Sequence, residues 1–148
     1  MQELPRQKKL IIGGPAGALE ALLELPKDLE PVACAVICHP HPLHGGTMQN
    51  KVAYTLARSF AGADFAALRF NFRGVGASEG HFTEGVGEVQ DVVTAVAWLR
   101  AEFPGLDLWL AGFSFGAAMA IRAATICMPA GLVSVAPAIS RFANNFAR

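Results

Sequence analysis

One five-residue turn, Gly112-Phe113-Ser114-Phe115-Gly116, strongly constrains how this chain can fold. It follows an apolar segment, Leu106 to Ala111, which predicts a β-strand, and it precedes an alanine-rich segment, which predicts a helix. A serine at the tip of such a turn takes a strained backbone conformation, and glycines two residues to either side let the strand and the helix approach each other. We therefore expect the turn to present the Ser114 hydroxyl at a helix N-terminus.

A helix N-terminus favours developing negative charge, because its backbone N–H groups point outward and the helix dipole is positive there. Phe115, the residue after the serine, would supply one of these N–H groups. The same five residues are also compatible with a glycine-rich and serine-containing turn that has no chemistry. Evidence from the rest of the sequence is needed to distinguish a nucleophilic serine from a purely structural turn.

The length and composition predict one globular domain over residues 1–148. Hydrophobic residues make up 53% of the chain and charged residues 16%, as in proteins whose strands are buried on both faces. Twelve basic residues balance twelve acidic ones, so the chain lacks the charge typical of proteins that bind nucleic acid or anionic membranes. Met1 to Lys9 is polar and no apolar run reaches bilayer length. We expect a cytoplasmic protein with no nucleic-acid or membrane partner.

The three cysteines, Cys34, Cys38 and Cys127, form no C-x-x-C pair. Cys34 and Cys38 fall on the same face of one predicted strand, where they act best as small buried hydrophobes. This usage indicates a reducing compartment.

Strands and helices alternate along the chain. An edge hairpin is predicted from Lys9 to Leu25, with its turn at residues 13–17. After it we expect strands at 32–38, 65–72, 106–111 and 132–136, and helices at 48–62 (with Thr47 as the N-cap), 89–103 and 116–127. This alternation argues for βαβ units in a doubly wound, mostly parallel α/β sheet, with the site at the carboxyl ends of the strands.

Three chemical features fall at the carboxyl ends of three predicted central strands: His39 to Gly46, Arg73 to Gly80, and the turn at Ser114. Together they resemble the α/β-hydrolase superfamily, in particular its small lidless bacterial serine hydrolases related to dienelactone hydrolase. The resemblance covers essentially the whole chain. It implies the family's α/β sheet, no cofactor, and a small-molecule ester, thioester or amide that reacts through an acyl-enzyme on Ser114.

The family also implies an oxyanion hole, in which one N–H follows the nucleophile and the other comes from the loop after the third strand. Pro40 and Pro42 have no N–H, so we predict His41 N–H as the second donor, with Leu43 N–H as the alternative. The Arg73 to Gly80 segment matches the family's Arg-Gly-x-Gly-x-Ser-x-Gly turn, and we expect it to be structural. It is not a dinucleotide-binding G-x-G-x-x-G, because Gly80 comes one residue late.

His39, His41 and His44 lie close together in sequence and raise the alternative of a metal-binding protein. The intervening prolines make a three-ligand arc awkward, and no fourth ligand is evident from spacing. We expect these histidines to be structural or part of the oxyanion loop, and we expect no metal.

The end of the chain departs from the family pattern. The triad order in the family is Ser, then Asp or Glu, then His, but residues 115–148 contain none of these acids and no histidine. We expect the chain to be the N-terminal portion of a longer hydrolase, lacking the last strands of the sheet. The alternative is a catalytically silent α/β-hydrolase-like domain that binds a ligand or partner.

Overall fold

The structure is a computed structural model that describes residues 5–140. Its strands are β1 Arg6–Gly14, β2 Gly17–Leu25, β3 Ala33–Cys38, β4 Phe65–Phe70, β5 Leu108–Phe113 and β6 Gly131–Val135. Its α-helices are α1 Lys51–Gly62, α2 Val86–Glu102 and α3 Phe115–Cys127. A short 3-10 turn, Pro42–His44, lies between β3 and α1.

The six strands form one mixed sheet in the order β1-β2-β4-β3-β5-β6. The β1–β2 hairpin pairs antiparallel with β4, while β4, β3, β5 and β6 are parallel to one another. This confirms the expected α/β fold with its edge hairpin. Because β3 lies between β4 and β5, the loops that follow these three strands meet at one edge of the sheet.

Helices cover both faces of the sheet. On one face α2 and α3 bury the larger core, in which Leu68, Phe70, Val92, Leu99 and Met119 are almost fully buried. On the other face α1 packs over a smaller cluster made mostly of alanines. Because these side chains are small, the helix lies close to the strands. The cluster consists of Ala35, Ile37, Ala53, Ala57, Ala67 and Ala111. The two-sided burial explains the apolar composition of the central strands.

The structure corrects the predicted start of α1. Asn50, not Thr47, is the N-cap, and its Oδ1 accepts hydrogen bonds from the N–H groups of Val52 and Ala53. Thr47 Oγ1 instead accepts from Gln49 N–H in the preceding turn. Both residue types cap helices well, so composition alone did not separate them.

Other boundaries differ by one to three residues, among them the start of β1 at Arg6 instead of Lys9 and the start of α2 at Val86 instead of Val89. β5 runs to Phe113, two residues beyond the predicted end at Ala111. β4 ends at Phe70, because the N–H of Phe72 leaves the sheet and donates to His39 Nε2.

All three cysteines are buried free thiols, as predicted for Cys34 and Cys38. Burial raises the pKa of the Cys34 thiol to about 11, so this side chain stays protonated and behaves as a small hydrophobe. Within residues 5–140, no helix combines the length and the apolar character needed to cross a bilayer.

Candidate active site

Ser114 sits at the tip of the turn between β5 and α3, in a left-handed backbone conformation with φ 56° and ψ −115°. A non-glycine residue rarely adopts such a conformation, and it persists only where the surroundings enforce it. Hydrogen bonds to the end of β6 and to the segment after it hold this conformation: Ser114 N–H donates to Val135 O at 3.0 Å, and Ala138 N–H donates to Ser114 O at 3.1 Å. The half-buried Ser114 side chain makes no capping hydrogen bond to α3.

The two flanking glycines are required by close backbone contacts. A Cβ on Gly112 would lie 2.5 Å from the carbonyl oxygen of Gly116. A Cβ on Gly116 would lie 2.2 Å from Cys38 O and 2.4 Å from His39 O. The N-terminus of α3 therefore rests directly on the end of β3, and the motif's spacing is a packing requirement.

The loop after β3 starts beside this turn, because Cys38 is the register partner of Gly112. The His41 ring lies 5.3 Å from the Phe115 ring, centroid to centroid, so the structure brings the loop and the start of α3 together. Phe115 is the first residue of α3, where backbone N–H groups point outward along the helix axis.

Hydrogen bonds within the loop fix the backbone around His41. His41 O accepts from the N–H groups of His44 and Gly46, both at 3.0 Å. Leu43 N–H, the alternative oxyanion donor, instead donates to His41 Nδ1 at 3.1 Å. The Leu43 N–H is therefore used within the loop. The His41 N–H stays a prediction as the second N–H donor of the oxyanion hole.

His39 has a structural role that the sequence did not specify. Its buried ring accepts a hydrogen bond from Phe72 N–H at Nε2, which places the proton on Nδ1, 2.7 Å from Pro40 O. Burial lowers the pKa of His39 to about 4. The neutral ring therefore links the end of β3 to the segment after β4.

The positions of the His39, His41 and His44 rings do not support the metal-binding alternative. Both His39 nitrogens are engaged within the protein, while the His41 and His44 rings stack at 4.2 Å. In the part of the chain that the structure describes, no three His, Cys, Asp or Glu side chains form a group that could hold a metal ion.

The Arg73 to Gly80 turn makes the structural contacts expected of it. The Arg73 guanidinium pairs with the buried Asp91 carboxylate of α2, with Nη2 2.8 Å from Oδ1. Ser78 Oγ donates to Asn71 O at 2.7 Å and accepts from Glu20 N–H at 2.9 Å. These contacts fasten the turn to α2 and to the hairpin, below the loops of the site.

No acid–base pair is assembled at Ser114 among the described residues. The buried carboxylates nearest in sequence are already engaged: Asp91 by Arg73, and Glu88 by Thr83 and the Gly85 N–H at the start of α2. Within residues 5–140, the Ser114 hydroxyl forms no hydrogen bond with an imidazole or a carboxylate.

Comparison with known proteins identifies the family. The family described as serine aminopeptidase, S33, matches residues 30–147. The chain belongs to this family of α/β hydrolases. This membership confirms the resemblance drawn from the three loops.

Solved structures agree with the assignment. A lidless α/β serine hydrolase from Xanthomonas campestris is 40% identical with a TM-score of 0.85, over 92% of this chain and 64% of that one. An α/β serine hydrolase homologue from Coxiella burnetii is 43% identical with a TM-score of 0.87, over 97% of this chain and 69% of that one. The chain thus spans about two thirds of each structure.

Among curated proteins, an uncharacterized protein of Rickettsia prowazekii (strain Madrid E) is 41% identical over 116 residues. The match covers 77% of this chain and 48% of that protein. The chain therefore spans about half the length of this relative.

Proposed function

We propose that this chain carries the nucleophile and the oxyanion-stabilising groups of a serine hydrolase that acts on a small-molecule ester, thioester or amide. The observation that supports this most directly is the left-handed backbone of Ser114 between β5 and α3. Strain of this kind is kept where it serves a function, and in a strand-to-helix turn it would present the serine hydroxyl at the carboxyl end of the strand.

In this mechanism Ser114 Oγ attacks the substrate carbonyl carbon, and its proton passes to a general base. The tetrahedral intermediate collapses as the protonated leaving group departs, which leaves an acyl group on Ser114 that water then hydrolyses. Phe115 N–H and His41 N–H stabilise the oxyanion of each tetrahedral intermediate. Support comes from the position of Phe115 at the start of α3 and from the fixed loop around His41.

A serine hydroxyl is a weak nucleophile without a positioned imidazole and the carboxylate that orients it. The family order places both after the nucleophile, where residues 115–148 have neither. The 148 residues alone are therefore expected to react slowly with serine-directed reagents. A gene product that continues beyond residue 148 with an Asp and a His should react fast.

A fluorophosphonate probe tests the assignment. In a longer product that carries both groups, Ser114→Ala should abolish labelling, while Ser134→Ala, a matched change on neighbouring β6, should leave it intact. Undiminished labelling of Ser114→Ala would show that another residue is the nucleophile.

The second candidate is a catalytically silent α/β-hydrolase-like domain that binds a ligand or partner, because this fold also supports binding without catalysis. The same probe separates the two. A longer product that carries an Asp and a His but remains unlabelled would support the silent domain and contradict the hydrolase.

A further inference from the structure

A second concave site lies away from Ser114, on the α1 side of the sheet. It is a cleft of about 500 Å³ between the β1–β2 hairpin and the start of α1, a size within the range of small-molecule sites. The residues that decide its chemistry are Lys9, Ile11, Leu22, Met48, Tyr54 and Arg69. Neither Ser114 nor the proposed oxyanion donors line this cleft.

The sheet register places a row of side chains along the cleft floor. Lys9 of β1 is the partner of Leu22 in β2, and Leu22 is the partner of Arg69 in β4, so all three share one face. Lys8 precedes Lys9 and therefore lies on the opposite face. Lys9 is exposed and has no ion-pair partner within residues 5–140.

The charged side chains in and beneath the cleft leave an excess of one positive charge. Glu24 is fully buried and is shared by two guanidinium groups, with Arg69 Nη2 at 2.8 Å and Arg58 Nε at 3.3 Å. The Glu24 carboxylate therefore faces two arginines, and Arg69 Nε has no hydrogen-bond acceptor among residues 5–140. Glu20 also lines the cleft, and the hydrogen bonds that its carboxylate accepts come from the neutral amides of Asn71 and Ala77. Two carboxylates thus balance the two arginines, and Lys9 is the one cation in excess.

Apolar surface flanks these cations. Ile11 is 61% exposed on the hairpin, although it is a large aliphatic side chain. The ring of Tyr54, itself 40% exposed, lies 4.9 Å from Arg58 Cζ and 5.4 Å from Arg69 Cζ. Leu22 and Met48 complete the wall. A molecule that fits this lining needs an apolar body and one anionic group.

We propose that the cleft binds a small monoanionic amphiphile, a carboxylate with a short apolar tail. Its carboxylate lies at Lys9, within the field of the two arginines, and its tail covers Ile11, Leu22 and the edge of Tyr54. The carboxylate attracts the lysine ammonium, and burial of the tail removes apolar surface from water. This site is independent of the Ser114 chemistry.

Calorimetric titration of the chain with octanoate, below its micelle concentration, tests the proposal. Octanoate should bind measurably, octylamine should not, and 1-octanol should bind more weakly than octanoate. Lys9→Gln should weaken octanoate binding about three- to fivefold, the upper part of the range for one exposed ion pair. Lys8→Gln, its neighbour on the other face, should leave binding unchanged. Because Tyr54 is the chain's single tyrosine, its ring resonances should shift on titration.

Three results would overturn the proposal: no octanoate binding, octylamine binding as tight as octanoate binding, or equal weakening by Lys8→Gln and Lys9→Gln. The last would indicate a general effect of net charge. None of these outcomes depends on hydrolase activity, so the cleft and the proposed reaction are tested separately.

Discussion

At the scale of single residues, Gly116 shows how tightly the turn at Ser114 is packed. A methyl group there would meet the backbone oxygens of Cys38 and His39, which cannot move without displacing β3. We expect Gly116→Ala to lower the free energy of unfolding by at least about 2 kcal/mol, as overpacking against backbone does. Urea denaturation measures this change.

Gly62 supplies the control for that measurement. It ends α1, is exposed, and a Cβ there would meet nothing within 4 Å. Gly62→Ala should leave the stability unchanged or raise it by up to about 1 kcal/mol, because alanine favours helix. Equal destabilisation by both variants would contradict the packing argument.

His39 makes the stability depend on pH. Its pKa is about 4 in the folded chain, against an ordinary value of 6.5, because burial opposes the charged ring. Between these two values the unfolded state binds a proton that the folded state does not, so the free energy of unfolding falls as the pH is lowered from 6.5 to 4. The expected loss is about 3 kcal/mol.

Urea denaturation at several pH values, for the wild type and for His39→Gln, measures this contribution. The variant should be less stable at pH 7, because the glutamine cannot reproduce both ring contacts, and its stability should change less between pH 6.5 and 4. Parallel pH profiles for the two proteins would show that another group controls the acid response.

At the scale of elements, the Arg73–Asp91 ion pair joins the segment after β4 to α2. Both groups are largely buried, and Asp91 accepts from the guanidinium and from Arg73 N–H. Asp91→Asn leaves a buried guanidinium without its counter-ion, so we expect a loss of about 3–5 kcal/mol in urea denaturation.

Arg100→Met is the matched control for that change, because Arg100 is exposed and its guanidinium lies at the long distance of 3.5 Å from Met128 O. It should change the stability by no more than about 0.5 kcal/mol. An Asp91→Asn effect of that small size would mean that the pair does not hold the turn.

The sequence predicted most elements because their signals are local. Apolar runs bounded by turn residues located the strands, and the 3.6-residue period located α1 and α2. The boundaries were less certain where neighbouring residues compete for one role, as Thr47 and Asn50 do at the start of α1. The two-residue shift of β5 arose because Gly112 and Phe113 continue the strand up to the serine itself.

The site was predictable only in part. The turn at Ser114 could be located because its glycines are a local requirement of backbone packing. The role of His39 could not, because it depends on Phe72, 33 residues away in sequence. The ion pairs of Glu24 with Arg58 and Arg69 could not be predicted either. Sheet pairing and helix packing bring these side chains together, and no local sequence pattern indicates that they are neighbours.

At the scale of the whole molecule, the two outer strands of the sheet differ in charge. β1 carries Arg6, Lys8 and Lys9, charges of the kind that block strand pairing. β6 pairs only with β5 among the described residues, and residues 123–140 contain no charged side chain. The β6 edge therefore lacks the protection that β1 has.

We expect the 148-residue chain to self-associate at micromolar concentration through this edge, as judged by size-exclusion chromatography. Leu132→Lys, on the edge strand, should shift the chain toward the monomer. Leu29→Lys, at an exposed leucine in a loop, should not. A wild-type chain that is monomeric and melts cooperatively at that concentration would contradict the expectation.

The central claim is that Ser114, Phe115 N–H and His41 N–H act on one carbonyl group. The most direct measurement is a crystal structure of the protein after prolonged reaction with a small organophosphonate. The account predicts a phosphonyl group on Ser114 Oγ, with one phosphonyl oxygen about 3 Å from both the Phe115 and His41 amide nitrogens. An adduct on another residue, or a His41 amide that faces away from the phosphonyl oxygen, would contradict it.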